Sequence, residues 1–492
     1  MIERRRHARR LYRAEQVREL DRQAIEVHGI AGYELMSRAG GRVFEVLRAR
    51  WPEADSVTVC CGGGNNGGDG YIVARRAREA GLSVQVIALK APADLGGDAG
   101  RAARAWLDNG GDVAEPDAAL RGEVIVDAML GTGLDRAAEG AYASLIERVN
   151  LSERPVIAVD VPSGLSADTG MPTGPCVRAA CTVCFIGVKR GLHTGEAGGW
   201  CGPIVFDDLG VPDDVLSAVE ADAWLLDTDD LGGWLPPRLP TTHKGALGHV
   251  LVVGGDIGMA GAPVLSGRAA LRAGSGLVSL ATRAEHAQSA TALQPELMVH
   301  PVEELDRLDS LLERADVIAL GPGLGQSSWS RLVWKRALAS ERPVVLDADG
   351  LNLLASEPVR NEDLIITPHP GEAARLLDCR TADIQSDRFA AVRALARRYD
   401  CTAVLKGHGS LVADPAGRVS VCRFGNPAMA TAGMGDALTG IIASVRGQGL
   451  PAFDAACCGT LLHALAGDRA ARGVRQILAS DLIAGLAAVL PP

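Results

Sequence analysis

The stretch that most constrains this chain is Cys61-Gly-Gly-Gly-Asn-Asn-Gly-Gly-Asp-Gly70. It lies between an apolar run, Val57-Thr-Val-Cys60, and a helix-like run that begins near Tyr71. A strand, a glycine loop and a helix in that order let backbone N–H groups converge on an anion. Glycine supplies φ > 0 and lets a ligand approach the backbone. A second glycine-rich acidic loop, Thr431-Ala-Gly-Met-Gly-Asp436, lies far downstream. The two loops belong either to one site or to two.

The pattern around the first loop recurs. After helical spacing up to about residue 50, strand-like runs at 57–61, 84–89, 124–129, 156–161, 182–186 and 204–206 alternate with helical runs such as 72–80 and 100–109. Near-continuous apolar strands alternating with helices predict a parallel sheet covered on both faces. Ligands of such sheets bind beyond the carboxyl ends of the strands. Those ends carry the Gly62–Gly70 loop, then Asp127-Ala-Met-Leu-Gly-Thr-Gly133, then Asp160-Val-Pro-Ser-Gly164.

At 492 residues the chain exceeds one sensible core. Turn formers and prolines over 227–240 mark a boundary. The predicted layout is a first domain over 1–221, a linker over 222–240 and a second domain over 241–492. The second half opens a new α/β series with strands at 249–255, 277–280, 317–320, 344–346, 364–367 and 403–405. The fold class expected is therefore α/β with two doubly wound domains.

A net charge of −10 gives no support to nucleic-acid binding. No apolar stretch is long and clean enough to span a bilayer. The basic opening Arg4-Arg-Arg-His-Ala-Arg-Arg10 is read as a solvated tail, and no secretory h-region follows it. Eleven cysteines, an odd number, favour a reducing cytoplasm. Cys181 and Cys184 have C-x-x-C spacing without a second pair, and in a strand they face opposite sides. Nothing fixes the oligomeric state, and a homo-oligomer stays open.

Asn66 and Asp127 offer amide and carboxylate oxygens and Ser163 a hydroxyl, an all-oxygen set suited to a hard cation. One carboxylate with neutral oxygens matches a monovalent ion better than calcium. Asp160 reads as an acid/base or as a turn residue. In the second half, the N–H groups of Ala432, Gly433, Met434 and Gly435 would form an anion hole at a helix N-terminus. Asp436 stands where it can accept a proton, or simply favours the helix dipole. His369, between two prolines, is either a site residue or rigidly packed, and Lys244 is left unassigned. No Walker lysine loop is present.

The three loops of the first half, with Lys189-Arg-Gly-Leu192, resemble the NAD(P)H-hydrate epimerase family over residues 10–215. The resemblance implies a Rossmann-like three-layer sandwich. It implies that Asn65, Asn66, Gly67, Gly68, Asp69, Gly131, Thr132, Gly133, Leu134, Asp135, Arg136, Ala137 and Asp160 contact a hydrated dinucleotide, and potassium at Asn66, Asp127 and Ser163. Gly63 departs from the usual Pro of the family.

The second half resembles the ADP/ATP-dependent NAD(P)H-hydrate dehydratases of the ribokinase-like superfamily. The matching stretches are Gly258-Met-Ala-Gly-Ala262, Gly321-Pro-Gly-Leu-Gly325, Asp347-Ala-Asp-Gly350, Thr367-Pro-His-Pro-Gly-Glu372, Lys406-Gly-His-Gly-Ser410 and the Asp436 loop. This implies a ribokinase-like three-layer sandwich. Ala262, Gly323, His369 and Asp436 would contact the hydrate. Lys406, Gly407, His408, Gly409, Ser410 and Gly435 would contact ADP or ATP, with Mg²⁺. His408 and Ser410 stand where Ala and Thr are common. The implied catalytic residues are Asp160 and Asp436, the implied partners hydrated NADH or NADPH and an adenine nucleotide. The competing reading is a kinase for a small vitamin-like alcohol fused to a non-catalytic dinucleotide-binding module.

Overall fold

A computed structural model describes residues 7–133 and 136–491. The chain divides into one compact unit ending at Trp224 and another beginning at Leu225. The segment read as a linker is therefore counted almost wholly in the second unit. Leu226 and Leu231 are buried in that unit's core, and Trp234 and Leu235 pack against it. Apolar side chains at helical spacing outweigh the prolines around them.

In the first unit a parallel sheet is built from β1 (Ser56–Cys61), β2 (Ser83–Ala88), β3 (Val124–Ala128), β4 (Val156–Val159), β5 (Cys181–Phe185) and β6 (Ile204–Asp207), in the order β2-β1-β3-β4-β5-β6. Alternate residues feed opposite layers. Val57, Val59, Cys61, Val124 and Val126 join a core with the helices Gly32–Arg50, Asn65–Glu79 and Gly97–Asp108. Cys60, Ile87, Ile125 and Val156 pack on Leu145, Ile146 and Val149 of helix Gly140–Leu151. Cys181 and Cys184 fall in different clusters, as the period of two requires. All eleven cysteines are unpaired thiols.

The glycine stretch differs from its sequence reading. The helix begins at Asn65, not near Tyr71, and none of the glycines from Gly62 to Gly70 has positive φ. They are there for close approach. A Cβ at Gly67 would lie 2.0 Å from the Gly62 carbonyl oxygen, and one at Gly62 1.8 Å from that of Met129. One at Gly68 would meet Met36 Sδ at 2.7 Å. Gly67→Ala should thus cost about 1–3 kcal/mol, read as a lower urea midpoint. An unchanged midpoint would show that the turn yields freely.

The N-terminal run also differs. Arg4, Arg5 and Arg6 lie outside the described residues. His7, however, is buried and bonds Asp213 at 2.9 Å, and Arg10 donates to the Leu216 carbonyl at 2.7 Å. Long side chains that reach main-chain acceptors pack rather than solvate.

The second unit contains β7 (His249–Val253), β8 (Leu277–Thr282), β9 (Met298–Pro301), β10 (Val317–Leu320), β11 (Val344–Leu346), β12 (Leu364–Ile366) and β13 (Thr402–Leu405), all parallel, in the order β9-β8-β7-β10-β11-β12-β13. Two antiparallel strands, β14 (Ser410–Ala413) and β15 (Val419–Cys422), extend it. Helices Gly261–Arg272, Met434–Gly447 and Ala452–Ala470 cover one face. Both units are doubly wound α/β layers. Among the described residues no helix is long and apolar enough to cross a membrane.

Candidate functional sites

In the first unit β1 runs out to β2 while β3 lies on its other side, so the carboxyl ends of β1 and β3 face a topological switch point. A cavity of about 480 Å³ opens there. Asn65, Asn66, Asp69, Gly131, Thr132, Gly133 and Asp160 all line it. Gly67 and Gly68 are buried in the first turn of helix Asn65–Glu79. Arg136 is exposed and Ala137 half-buried, both beyond the lining residues. Leu134 and Asp135 lie outside the described residues.

Asp160 ends β4 in a left-handed conformation, φ +68°, which is uncommon for a residue with a side chain. The strand stops at Val159, two residues earlier than its apolar pattern suggests. Its Oδ1 accepts from the Phe185 amide at 3.3 Å and is ion-paired with Lys189 Nζ. The ammonium is 1% exposed and the Asp160 carboxylate 15%. Burial pulls the Lys189 pKa down, but the charge and hydrogen bond of Asp160, together with Cys184 and Asp21, raise it above the usual lysine value.

Asp127 is fully buried. It accepts from Ser163 Oγ at 2.6 Å, the Ser163 amide at 2.8 Å and the Met129 amide at 3.3 Å. Burial pushes it up to about 6 against these hydrogen bonds. No described cationic side chain pairs with it. The Asn66 amide nitrogen is buried without a partner, and Gly131, where a Cβ would sit 3.4 Å from Asn66 Oδ1, passes close by. A buried carboxylate without a charged partner among the described residues and the Ser163 hydroxyl fit a single monovalent cation, for which Asn66 would offer its side-chain oxygen and not the orphaned NH2, which only donates.

In the second unit the loops after β7 and β10 interlock: the amides of Gly255 and Asp256 donate to the carbonyls of Pro322 and Gly323 at 3.2 and 2.8 Å. Gly323 has φ +57°, and its Cβ would lie 3.3 Å from that of Ala262. Ala262 stands in the first turn of helix Gly261–Arg272. That helix packs closely on Met434–Gly447, since a Cβ on Gly440 would meet the Ser266 oxygen at 2.0 Å.

Gly433, φ +87°, caps helix Met434–Gly447, and Asp436 stands in its first turn. The first amides of a helix have no partner within it, so they face outward as donors. Burial, then the Asp347 charge, raises Asp436 to about 6. Asp347, 1% exposed, accepts from Lys406 Nζ at 2.6 Å and Thr439 Oγ1 at 3.0 Å. Ala348, at φ +48°, holds the strained turn between Asp347 and Asp349. A Cβ on Gly435 would meet both Asp347 Oδ2 and Lys406 Nζ at 3.2 Å, so only glycine passes this ion pair without pushing on it.

His369 does have a local task. Its Nδ1 accepts from the Gly371 amide at 3.0 Å, capping helix Pro370–Leu377, while the side chain remains 55% exposed. With Nδ1 accepting, Nε2 carries the proton and lies 3.5 Å from Glu372 Oε1. Of the two sequence readings the structure shows a local structural task, a helix cap on a side chain too exposed to be rigidly packed. Gly407 and Gly409, at φ +135° and +60°, shape the turn into β14, which Ser410 opens. Ser410 Oγ donates back to the Gly407 carbonyl at 2.9 Å. His408 is exposed on the same turn, and Lys244 is an exposed lysine.

Two family models match the chain: YjeF-related protein N-terminus over residues 32–191, and NAD(P)H-hydrate dehydratase over residues 250–486. A bifunctional NAD(P)H-hydrate repair enzyme of Coxiella burnetii is 46% identical over 98% of this chain and 99% of its own. The enzyme of the same description from Escherichia coli is 44% identical over 97% and 93%. The chain belongs to the bifunctional NAD(P)H-hydrate repair enzyme family. Among solved structures, a ribokinase-like superfamily protein from Enterococcus faecalis matches 54% of this chain and 94% of its own, at 29% identity and TM-score 0.51.

Within this repair-enzyme family the geometry adds residues that motif reading overlooked. Lys189 was noticed only as part of a matching tail, and Asp21, which lines the first cavity, was missed. Asp347 and Thr439 were missed as the anchor of Lys406. A lone Asp or Lys in a helix or strand gives no signal, because partners tens of residues away define it.

Proposed function

We propose that the first cavity epimerises the R and S forms of hydrated NAD(P)H and that the Asp436 loop dehydrates the S form with ADP or ATP. The single observation that carries the reading is that each unit places a carboxylate beyond the carboxyl ends of its own parallel strands, Asp160 ion-paired with the buried Lys189 and Asp436 close to the Asp347–Lys406 pair.

In the first unit the hydrate is a hemiaminal, with a hydroxyl on the carbon next to the ring nitrogen. Asp160 takes the hydroxyl proton, the C6–N1 bond opens to an aldehyde, and the proton returns to N1. Reclosure on the other face reverses each step and gives the epimer. Asn65, Asp69 and the 131–133 loop hold the sugar and phosphate groups. Asn66, Asp127 and Ser163 would hold potassium, which neutralises the buried Asp127 and fixes both loops.

In the second unit Asp436 takes the C6 hydroxyl proton, and the terminal phosphoryl group of the nucleotide moves to that oxygen. Amides of the Gly433–Gly435 turn face the developing charge. The N1 lone pair then expels phosphate, and loss of a C5 proton restores the reduced ring. Ala262, Gly323 and the Nε2 of His369 border the hydrate. Gly435 and the 406–410 turn border the nucleotide, with Mg²⁺ on its phosphates. Lys406, tied to Asp347, shapes this border rather than reaching freely for phosphate. We place the protein in a reducing compartment, supported by its eleven free thiols.

The S hydrate with ADP or ATP and Mg²⁺ should regain absorbance at the reduced-nicotinamide wavelength. The base must be ionised, and Asp436 is raised to about 6. Dehydration should therefore be full above that pH and fall about tenfold per unit below it. Phosphorylation of a vitamin-like alcohol without this recovery would favour the kinase reading. Exchange of potassium for lithium should slow R-hydrate consumption only.

A further inference from the structure

Lys189 reaches its place by an unusual route. β5 ends at Phe185, and Ile186 then adopts φ +59°, a genuine outlier for a β-branched side chain. Gly187 follows, its amide bonded to the Phe185 carbonyl at 2.6 Å. This reversal carries Lys189 back under the cavity, where the pair Val188–Lys189 runs parallel to Leu11 and Tyr12. Its Nζ donates to the Phe185 carbonyl at 3.0 Å, contacts Cys184 Sγ at 3.6 Å and is ion-paired with Asp160. A buried ammonium is costly, and a strained turn is spent on burying it.

The same cavity is lined by two more carboxylates, Asp21 from helix Ala14–Arg22 and Asp69 from helix Asn65–Glu79, with Asp98 and Arg18 at its wall. Among the described residues neither Asp21 nor Asp69 makes an ion pair. Three carboxylates around one ammonium cannot all be charged cheaply. Burial and then the Asp160 charge lift Asp69 well above the carboxylate range. Burial lifts Asp21 to about 6, opposed by Lys189 and reinforced by Asp160.

We propose that Lys189 is the positioning residue of this site: it holds the negative charge on Asp160, and so makes Asp160, not Asp21 or Asp69, the proton acceptor. The inference rests on the epimerase reading above and names the group that sets its protonation. Lys189 acts through Asp160 and takes no proton from the hydrate.

The full chain tests this with Lys189→Met and Lys189→Arg, each assayed on R hydrate across pH and corrected for spontaneous epimerisation. Dehydration of S hydrate in the same preparation reports intact protein. Lys189→Met should move the acidic limb of kcat/KM for epimerisation upward by at least one pH unit and lower the neutral-pH rate at least tenfold. Lys189→Arg should keep the limb near that of the parent. An Lys189→Met limb at the parental pH, with the rate either unchanged or uniformly reduced, overturns the proposal, as does a limb shift of equal size in Lys189→Arg. If Lys189→Met fails to accumulate, a shifted limb in Lys189→Arg overturns it and a parental limb supports it. Full epimerisation by Asp160→Asn would instead overturn the epimerase reading itself.

Discussion

Asp436→Asn should lower nucleotide-dependent dehydration by about 10²–10⁴-fold, the range typical of a removed general base, while R-to-S epimerisation continues at its parental rate. The substitution keeps the shape of the side chain and removes only its ability to take a proton. Among the described residues Asp436 forms no ion pair, and Lys406 stays anchored by Asp347. The folded structure therefore has little to lose, and the change falls on the chemistry. Recovery of absorbance from S hydrate and ADP or ATP is the measurement. Dehydration within a factor of three of the parent would remove Asp436 from the mechanism.

The second large effect belongs to Asp160. Asp160→Ala should reduce R-hydrate consumption to the spontaneous rate, again about 10²–10⁴-fold in the catalysed step, with S-hydrate dehydration retained. Here a structural cost accompanies the chemical one. Lys189 is 1% exposed, and removing its partner leaves a buried ammonium alone. Breaking such a pair costs about 3–5 kcal/mol, an upper range because the lysine can shed its proton. Asp160→Asn keeps a hydrogen-bond acceptor beside the ammonium, so it should recover part of the stability and none of the epimerisation. Urea unfolding and the R-hydrate assay together separate the two effects. Unimpaired R-hydrate consumption by either variant would leave the first unit as a binding module.

Much of the site was legible because α/β sheets write their active edge into the sequence. An apolar strand followed by Gly and Asp marks a carboxyl end, and Asn65, Asn66, Asp69, Gly131, Thr132, Gly133 and Asp160 were found that way and line one cavity. The glycines were read as sources of positive φ and of close approach to the backbone, and only close approach holds. Their φ values are ordinary, and their function is to let Gly62, Gly67 and Met129 backbones touch. Positive φ and close approach leave the same letter in the sequence. The division after Trp224 falls inside the stretch read as a linker, most of which packs with the second unit. Prolines over 227–240 announce turns but do not report whether the intervening Leu226 and Leu231 find a core.

The sequence by itself determined the two α/β layers, the strand-end loops and the placement of a carboxylate in each. These depend on local periodicity and on residues close together in the chain. Tertiary structure alone decided the charge state around those carboxylates. Lys189 lies 29 residues from Asp160, Asp347 lies 59 from Lys406 and 92 from Thr439. Such pairs meet only when strands assemble. Their energies come from burial and proximity, which no stretch of sequence contains.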